Sequence, residues 1–89
     1  MARLPELEIV NRLADAELQI EVGQLYYHYK NPDQHYRVKD FAYQVGNQKV
    51  CVIYEALYGQ HITFSRELDS WLSEVESGGA RVPRFTRVQ

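Results

Sequence analysis

One cysteine, Cys51, stands alone in 89 residues and has no second thiol to bridge to. A chain this short without a disulfide framework points to a reducing compartment. There is no apolar run of about 18 residues, the length a membrane helix requires, and no basic-then-apolar signal pattern at the N-terminus. The expected location is therefore cytoplasmic, with no membrane partner. Cys-x-x-Cys and His-x-x-x-His pairs are also missing, so Cys51, His28, His35 and His61 match no zinc spacing. Neither a glycine-rich phosphate loop nor a Gly-x-Ser-x-Gly elbow occurs. No catalytic residue, metal or cofactor is predicted on these grounds. A basic excess is lacking too, since the formal net charge is −2, and a bulk nucleic-acid binder usually shows one.

What is abundant is tyrosine. All seven lie between Tyr26 and Tyr58, together with two of the three histidines. Each ring brings apolar area and a hydroxyl that needs a partner. Such a segment is either the wall of a small β-barrel or a recognition surface made by that wall.

Charge is segregated along the chain. Residues 1–22 carry −3, residues 23–66 carry +2, residues 67–79 carry −4, and Arg81, Arg84 and Arg87 make the tail +3. The strand-rich parts are mildly basic and the helix-like parts acidic. That distribution permits a local anionic partner.

Pro5 suits a first helical position, and Glu6 and Glu8 suit the positive end of a helix dipole. Leu7, Val10, Ala14 and Leu18 recur at helical spacing with Leu13 beside them, which predicts a helix from about Pro5 to Leu18. After Gly23 the period changes to two. Leu25 to Lys30 reads as a strand with Tyr26, His28 and Lys30 on one face, and Asn31-Pro32-Asp33 as a turn. A second strand runs from His35 to Tyr43 with a bulge near Asp40. Gly46-Asn47 then turns into Lys49–Leu57, whose two faces are both largely apolar, the mark of a central strand. Gly59 marks a turn and Ile62 to Ser65 a short fourth strand. Ser65 is placed to cap a helix bearing Leu68, Trp71, Leu72 and Val75, which Gly78-Gly79 would stop. Arg81 to Val88 closes the chain as a strand with Pro83 at an edge.

The predicted fold is thus mainly β, α+β in content. It is a small five-stranded Src-homology-3-like barrel with an N-terminal helix and a short helix before the last strand. Residues 1–22 form the helical extension and residues 23–89 the barrel domain. There are no internal repeats.

Two readings of the aromatic strand stand side by side. Tyr26, His28 and Lys30 either serve an anionic, planar ligand through stacking, a tunable proton and a charge, or pack on neighbours with Lys30 solvated. Glu55, a carboxylate on an apolar strand, needs a partner, for which Arg66 and Lys30 are the natural candidates. Trp71 reads as the plug of the second helix.

Gly23-x-x-Tyr26-x-His28-Tyr29-Lys30, Tyr36 with Val38, Val52-Ile53-Tyr54-Glu55-Ala56-Leu57-Tyr58-Gly59, Arg66 and Val82-Pro83-Arg84-Phe85 together resemble the bacterial family called domain of unknown function 1653. The resemblance spans roughly Gly23 to Val88. The chain departs from the family pattern at Tyr27 and Glu55, where the pattern has arginine, and at Phe64-Ser65-Arg66-Glu67, where it has Trp-Val-Arg-Pro. The resemblance implies a small cytoplasmic binding or accessory module and supplies no activity.

Three hypotheses follow. The first is a non-enzymatic module that binds a nucleotide, nucleic acid or other anionic ligand through Tyr26, His28, Lys30, Tyr54, Tyr58, Arg66 and Arg84. The second is a structural protein–protein interaction domain with no small-ligand site. In it the leading helix, through its Leu7/Val10/Ala14/Leu18 face, and the acidic helix dock a partner or a second copy (a homodimer), while the tyrosines are core. The third is an enzyme using His28 and Glu55 as an acid–base pair, which requires the two side chains to meet in one cleft.

Overall fold

A computed structural model describes residues 5–89. The elements in order are α1 (Glu6–Gln19), β1 (Leu25–His28), β2 (His35–Gln44), β3 (Lys49–Ala56), β4 (Thr63–Glu67), α2 (Leu68–Leu72), β5 (Glu74–Ser77), β6 (Ala80–Pro83) and β7 (Phe85–Arg87). The protein is mainly β, with an N-terminal helix and a short helix before the last strands. The main antiparallel sheet has the order β4-β3-β2-β1-β7, and β5 and β6 form a separate ribbon. The sheet is not closed into a barrel, because β4 and β7 stand at its two edges.

Pro5 caps α1 through its carbonyl, which accepts from the backbone N–H groups of Glu8 and Ile9 at 3.0 and 3.2 Å. The helix is apolar on two sides, and the stripe that marks its period in the sequence is the exposed one. Ala16, Ile20 and the half-buried Leu13 pack into the core, whereas Leu7, Val10 and Leu18 face solvent. The inward stripe wins because Ala16 lets the helix approach the sheet and Ile20, already extended beyond the helix, is anchored beneath it.

β2 bends as its sequence demands. Register shifts between Val38 and Asp40, and the Asp40 carboxylate accepts from the Phe41 N–H at 2.7 Å. The extra residue lets Val38 and Phe41 both point inward although three positions apart, which explains the blurred alternation.

The C-terminal third differs from its expected form. The helical stripe ends after Leu72, where Ser73 turns its hydroxyl back to the Ser70 carbonyl at 2.7 Å. Glu67, not Ser65, occupies the N-cap position, with no side-chain cap. Val75 lies on β5 opposite Val82 of β6. Gly78 and Gly79 adopt φ of 60° and 83°, the paired left-handed values of a two-residue hairpin turn, so they join two strands and do not end a helix. The single closing strand is split at Arg84, with Pro83 at the end of β6.

The core gathers on one face of the main sheet around Tyr26, Val38, Phe41, Val50, Val52, Tyr54, Trp71 and Phe85. Trp71 stacks on Phe85 with ring centroids 3.7 Å apart and planes 1° apart, and meets Tyr26 and Tyr54 edge-on at 5.5 and 5.0 Å. Truncation of a buried tryptophan costs about 3–5 kcal/mol, a large share of what a domain this size holds. Trp71→Ala is expected to lower the urea midpoint sharply. A change below about 1 kcal/mol, the ordinary size of a mild substitution, would contradict Trp71 as the keystone of the core.

Candidate functional site at the open end of the sheet

Strand register decides which side chains share a face. Tyr26 pairs with Tyr36, and Tyr36 with Ala56, so these three project to the core side. His28, two residues beyond Tyr26, lies on that side opposite Phe85 of β7. Arg66, paired with Val52 on β4, joins them. Three patches of this face differ in cover. α1 covers one through Ala16 and Ile20, and Trp71 covers the middle. At the Ala56 end His28, Tyr36, Tyr58, Arg66 and Arg84 are only half-buried, and Lys30 is exposed.

Phe85 is the floor of this end. The His28 ring meets it edge-on at 5.0 Å, and the Arg66 guanidinium carbon stands 5.2 Å from its centroid, in cation–π range. Arg66 donates through Nε to the Tyr54 hydroxyl at 3.3 Å and through Nη1 to Ser70 Oγ at 3.1 Å. Arg84 donates through Nε to Ser73 Oγ at 3.0 Å. Its carbonyl accepts from the Tyr29 N–H at 3.0 Å, tying the arginine to the β1 turn. That turn carries Lys30, whose backbone N–H donates to His28 Nδ1 at 3.3 Å. Nδ1 therefore acts as acceptor, which leaves the imidazole proton on Nε2 in the neutral form. Beside it the hydroxyls of Tyr36 and Tyr58 share a 2.6 Å hydrogen bond.

The charges of this end are unbalanced. Arg12, Lys39, Lys49, Arg81 and Arg87 each pair with a carboxylate. Among the described residues, Lys30, Arg37, Arg66 and Arg84 pair with none; Arg37 lies on the far face and donates to the Gly23 carbonyl at 2.9 Å, and the other three belong to this end. Burial holds the His28 imidazole below its ordinary value, and Arg66, Arg84 and Lys30 reinforce the effect. Burial, with the hydrogen bond to Tyr58 and its neighbouring charge next, pushes Tyr36 up to about 12.

Of the seven candidate residues, the structure brings His28, Lys30, Tyr58, Arg66 and Arg84 to this end. Tyr26 and Tyr54 serve it from beneath. Tyr26 is 7 % exposed and accepts from the Glu21 N–H at 3.1 Å, and Tyr54, 5 % exposed, anchors Arg66. Tyr36, absent from the candidates, also stands at the rim, where its register partner is Tyr26, a pairing that the sequence alone does not fix. Glu55 does not meet Arg66 or Lys30. It lies on the far face with Lys39 and His61, each 3.7 Å away. His28 and Glu55 therefore project from opposite sides of the sheet, which excludes them as an acid–base pair. No group of three or more His, Cys, Asp or Glu side chains able to hold a metal occurs among the described residues.

Comparison with known proteins agrees with the motifs. The family described as Protein of unknown function (DUF1653) matches residues 24–87. The chain belongs to the DUF1653 family. It is also similar to a DUF1653 protein from Bordetella bronchiseptica of known crystal structure, at 30 % identity and a TM-score of 0.66, over 79 % of this chain and 90 % of that one. No curated protein matches. Tyr27 and Glu55, where this DUF1653 chain departs from the arginines of the family pattern, both project from the far face, and the cluster around Phe85 is untouched by either change.

The depressed His28 value has a sign that can be checked. Over the window from about 6.5 downward the unfolded chain binds the proton that the folded chain refuses, so stability falls as pH drops through that window and levels off below the folded value. A proton NMR titration should show His28 titrating below the ordinary histidine range, and Lys30→Glu should move it upward. A His28 at or above 6.5 in the unmodified protein would contradict the cationic surroundings described above.

Proposed function

We propose that this protein is a non-enzymatic binding module that recognises a phosphate-bearing, ring-containing ligand at the open end of its sheet, a nucleotide or single-stranded nucleic acid. One observation carries the reading: Arg66 stands over Phe85, the charges of Arg66, Arg84 and Lys30 all act on His28, and none of the three cations pairs with a carboxylate among the described residues. Like charges brought together cost stability unless something offsets them, and a bound phosphate does so. Arginine suits that task, since its planar fork matches phosphate oxygens. The half-buried rings of His28, Tyr36 and Tyr58 offer faces and edges to a base, where stacking contributes about 1–3 kcal/mol. The Nε2–H of His28 supplies a neutral donor near pH 7 and a fourth cation below it.

The connectivity supports a Src-homology-3-like barrel left open at one seam, since a four-strand meander is followed by a last strand that returns to pair with the first. A cytoplasmic setting fits the lone, buried thiol of Cys51, and among the described residues no helix is long and apolar enough to cross a membrane.

The test is a titration with single-stranded DNA and RNA oligonucleotides and with inorganic phosphate, across salt concentrations. With about three phosphate contacts the salt slope for a single strand is about −2, and Lys30→Glu, which touches no core residue, should flatten it by about one unit or more. Affinity should rise as pH falls through the depressed titration range of His28, because the imidazole becomes charged beside the anion. Absence of binding at low salt, where phosphate contacts are strongest, defeats the proposal.

A further inference from the structure

α1 carries a second apolar stripe that the fold does not use. Leu7, Val10, Ala14 and Leu18 stand at intervals of three, four and four residues, which places them on one face nearly opposite the buried Leu13, Ala16 and Ile20. Leu7 is 70 % exposed, Val10 52 % and Leu18 85 %. Two leucines and a valine in one line along a surface helix form a contiguous patch, unlike the scattered apolar residues of an ordinary surface.

The borders of the stripe say what fits it. At 3.6 residues per turn Glu6 and Glu17 flank one side, and Glu8 and Asp15 flank the other. Arg12 is turned further away and is held by Glu8 at 3.3 Å. Among the described residues Glu6, Asp15 and Glu17 have no basic partner. The stripe is therefore a hydrophobic seam between two acidic rails. A second copy would set rail against rail in either orientation, because both rails carry carboxylates, and facing like charges disfavour pairing. An anionic lipid surface is repelled for the same reason. A helix whose apolar seam is bordered by Lys and Arg meets both the seam and the rails.

We propose that α1 docks a basic amphipathic helix of another protein along Leu7, Val10, Ala14 and Leu18. The helix lies outside the residues 24–87 matched by the family. The interaction is thus a property this chain adds to the shared domain, and it is separate from the anion site. Of the two occupants the sequence left open for this face, a partner protein or a second copy, the acidic rails favour the unlike partner.

The probe is a fluorescein-labelled 18-residue peptide with leucines at i, i+3, i+4 and i+7 and lysines on both flanks. Its controls are the same peptide with glutamates on the flanks and one with serines for leucines. Fluorescence anisotropy with the full chain should show saturable binding of the lysine peptide. Binding should be at least tenfold weaker for either control peptide, and for Val10→Ser/Leu18→Ser protein with unchanged circular dichroism and thermal midpoint. Equal binding by that variant, or equal binding of the glutamate peptide, overturns the proposal. So does a concentration-dependent dimer in analytical ultracentrifugation that the same variant abolishes, since the occupant would then be a second copy. Loss of oligonucleotide binding has no bearing on these readouts, so the two proposals fail separately.

Discussion

The face-to-face stack of Trp71 on Phe85 is the contact on which both the core and the open end of the sheet depend. Trp71 comes from a helix of five residues, too short to persist in water without tertiary packing. Phe85 comes from a strand of three residues at a sheet edge, which has little ladder to hold it. Neither element is stable locally, and each fixes the other. The stack lays the Trp71 indole over Tyr26 and Tyr54, completing the apolar layer, and turns the Phe85 ring toward His28, Tyr36 and Arg66. The separate β5–β6 ribbon lies in the chain between the two rings, spanning the distance from α2 back to β7 without contributing to the main sheet.

The cations around Phe85 are held by neutral groups. Arg66 leans on two hydroxyls and a ring, and Arg84 on one hydroxyl. A hydrogen bond from a charged donor to a neutral oxygen is favourable but leaves the net charge in place. A carboxylate in the same position would cancel it. The protein has acids to spare, with twelve Asp and Glu against ten Lys and Arg, and uses them to pair five cations elsewhere. That no acid pairs with Arg66 or Arg84 among the described residues is therefore a local arrangement against the overall balance. The anion proposed above would complete it.

Most of the strand plan was legible because it rests on short-range rules. Alternation from Leu25, the Asn31-Pro32-Asp33 turn and the continuous apolar run of β3 each left one solution. The bulge at Asp40 announced itself as a lapse in that alternation. What failed, failed where two periods fit the same residues. Leu68, Trp71, Leu72 and Val75 satisfy a helix, while Glu74-Val75-Glu76-Ser77 and Ala80-Arg81-Val82-Pro83 around two glycines satisfy a hairpin equally well. Cross-strand pairing of Val75 with Val82 decides it, and that is a tertiary contact. α1 posed the same difficulty with two faces, and the anchoring of Ile20 chose between them. In the site, charge and ring types were readable and burial was not. Tyr26 and Tyr54 match family motifs as closely as His28 does, yet they act as support.

Charge segregation lets the two surfaces work side by side. α1 lies toward the Val50 end of β3, where Arg12 and Asp15 border a cleft of about 360 Å³ with Lys49, Val50 and Glu67. The cationic cluster sits at the Ala56 end, where Tyr36 pairs with β3. Six residues of strand at ~3.3 Å each separate the two ends by roughly 20 Å. Screening at physiological ionic strength acts over about 8 Å, so the acidic rails of α1 scarcely diminish the potential felt by an anion beside His28 and Arg84, while Arg66, opposite Val52, reaches that end only through its side chain. Dilute buffer removes that separation: with a screening length of about 30 Å the whole molecule is seen as one net-negative body. The acidic helix then partly opposes the approach of an anion and favours the approach of a basic helix. A small net-negative protein can thus present a cationic site, because at working salt a ligand responds to the charges within reach and not to their sum.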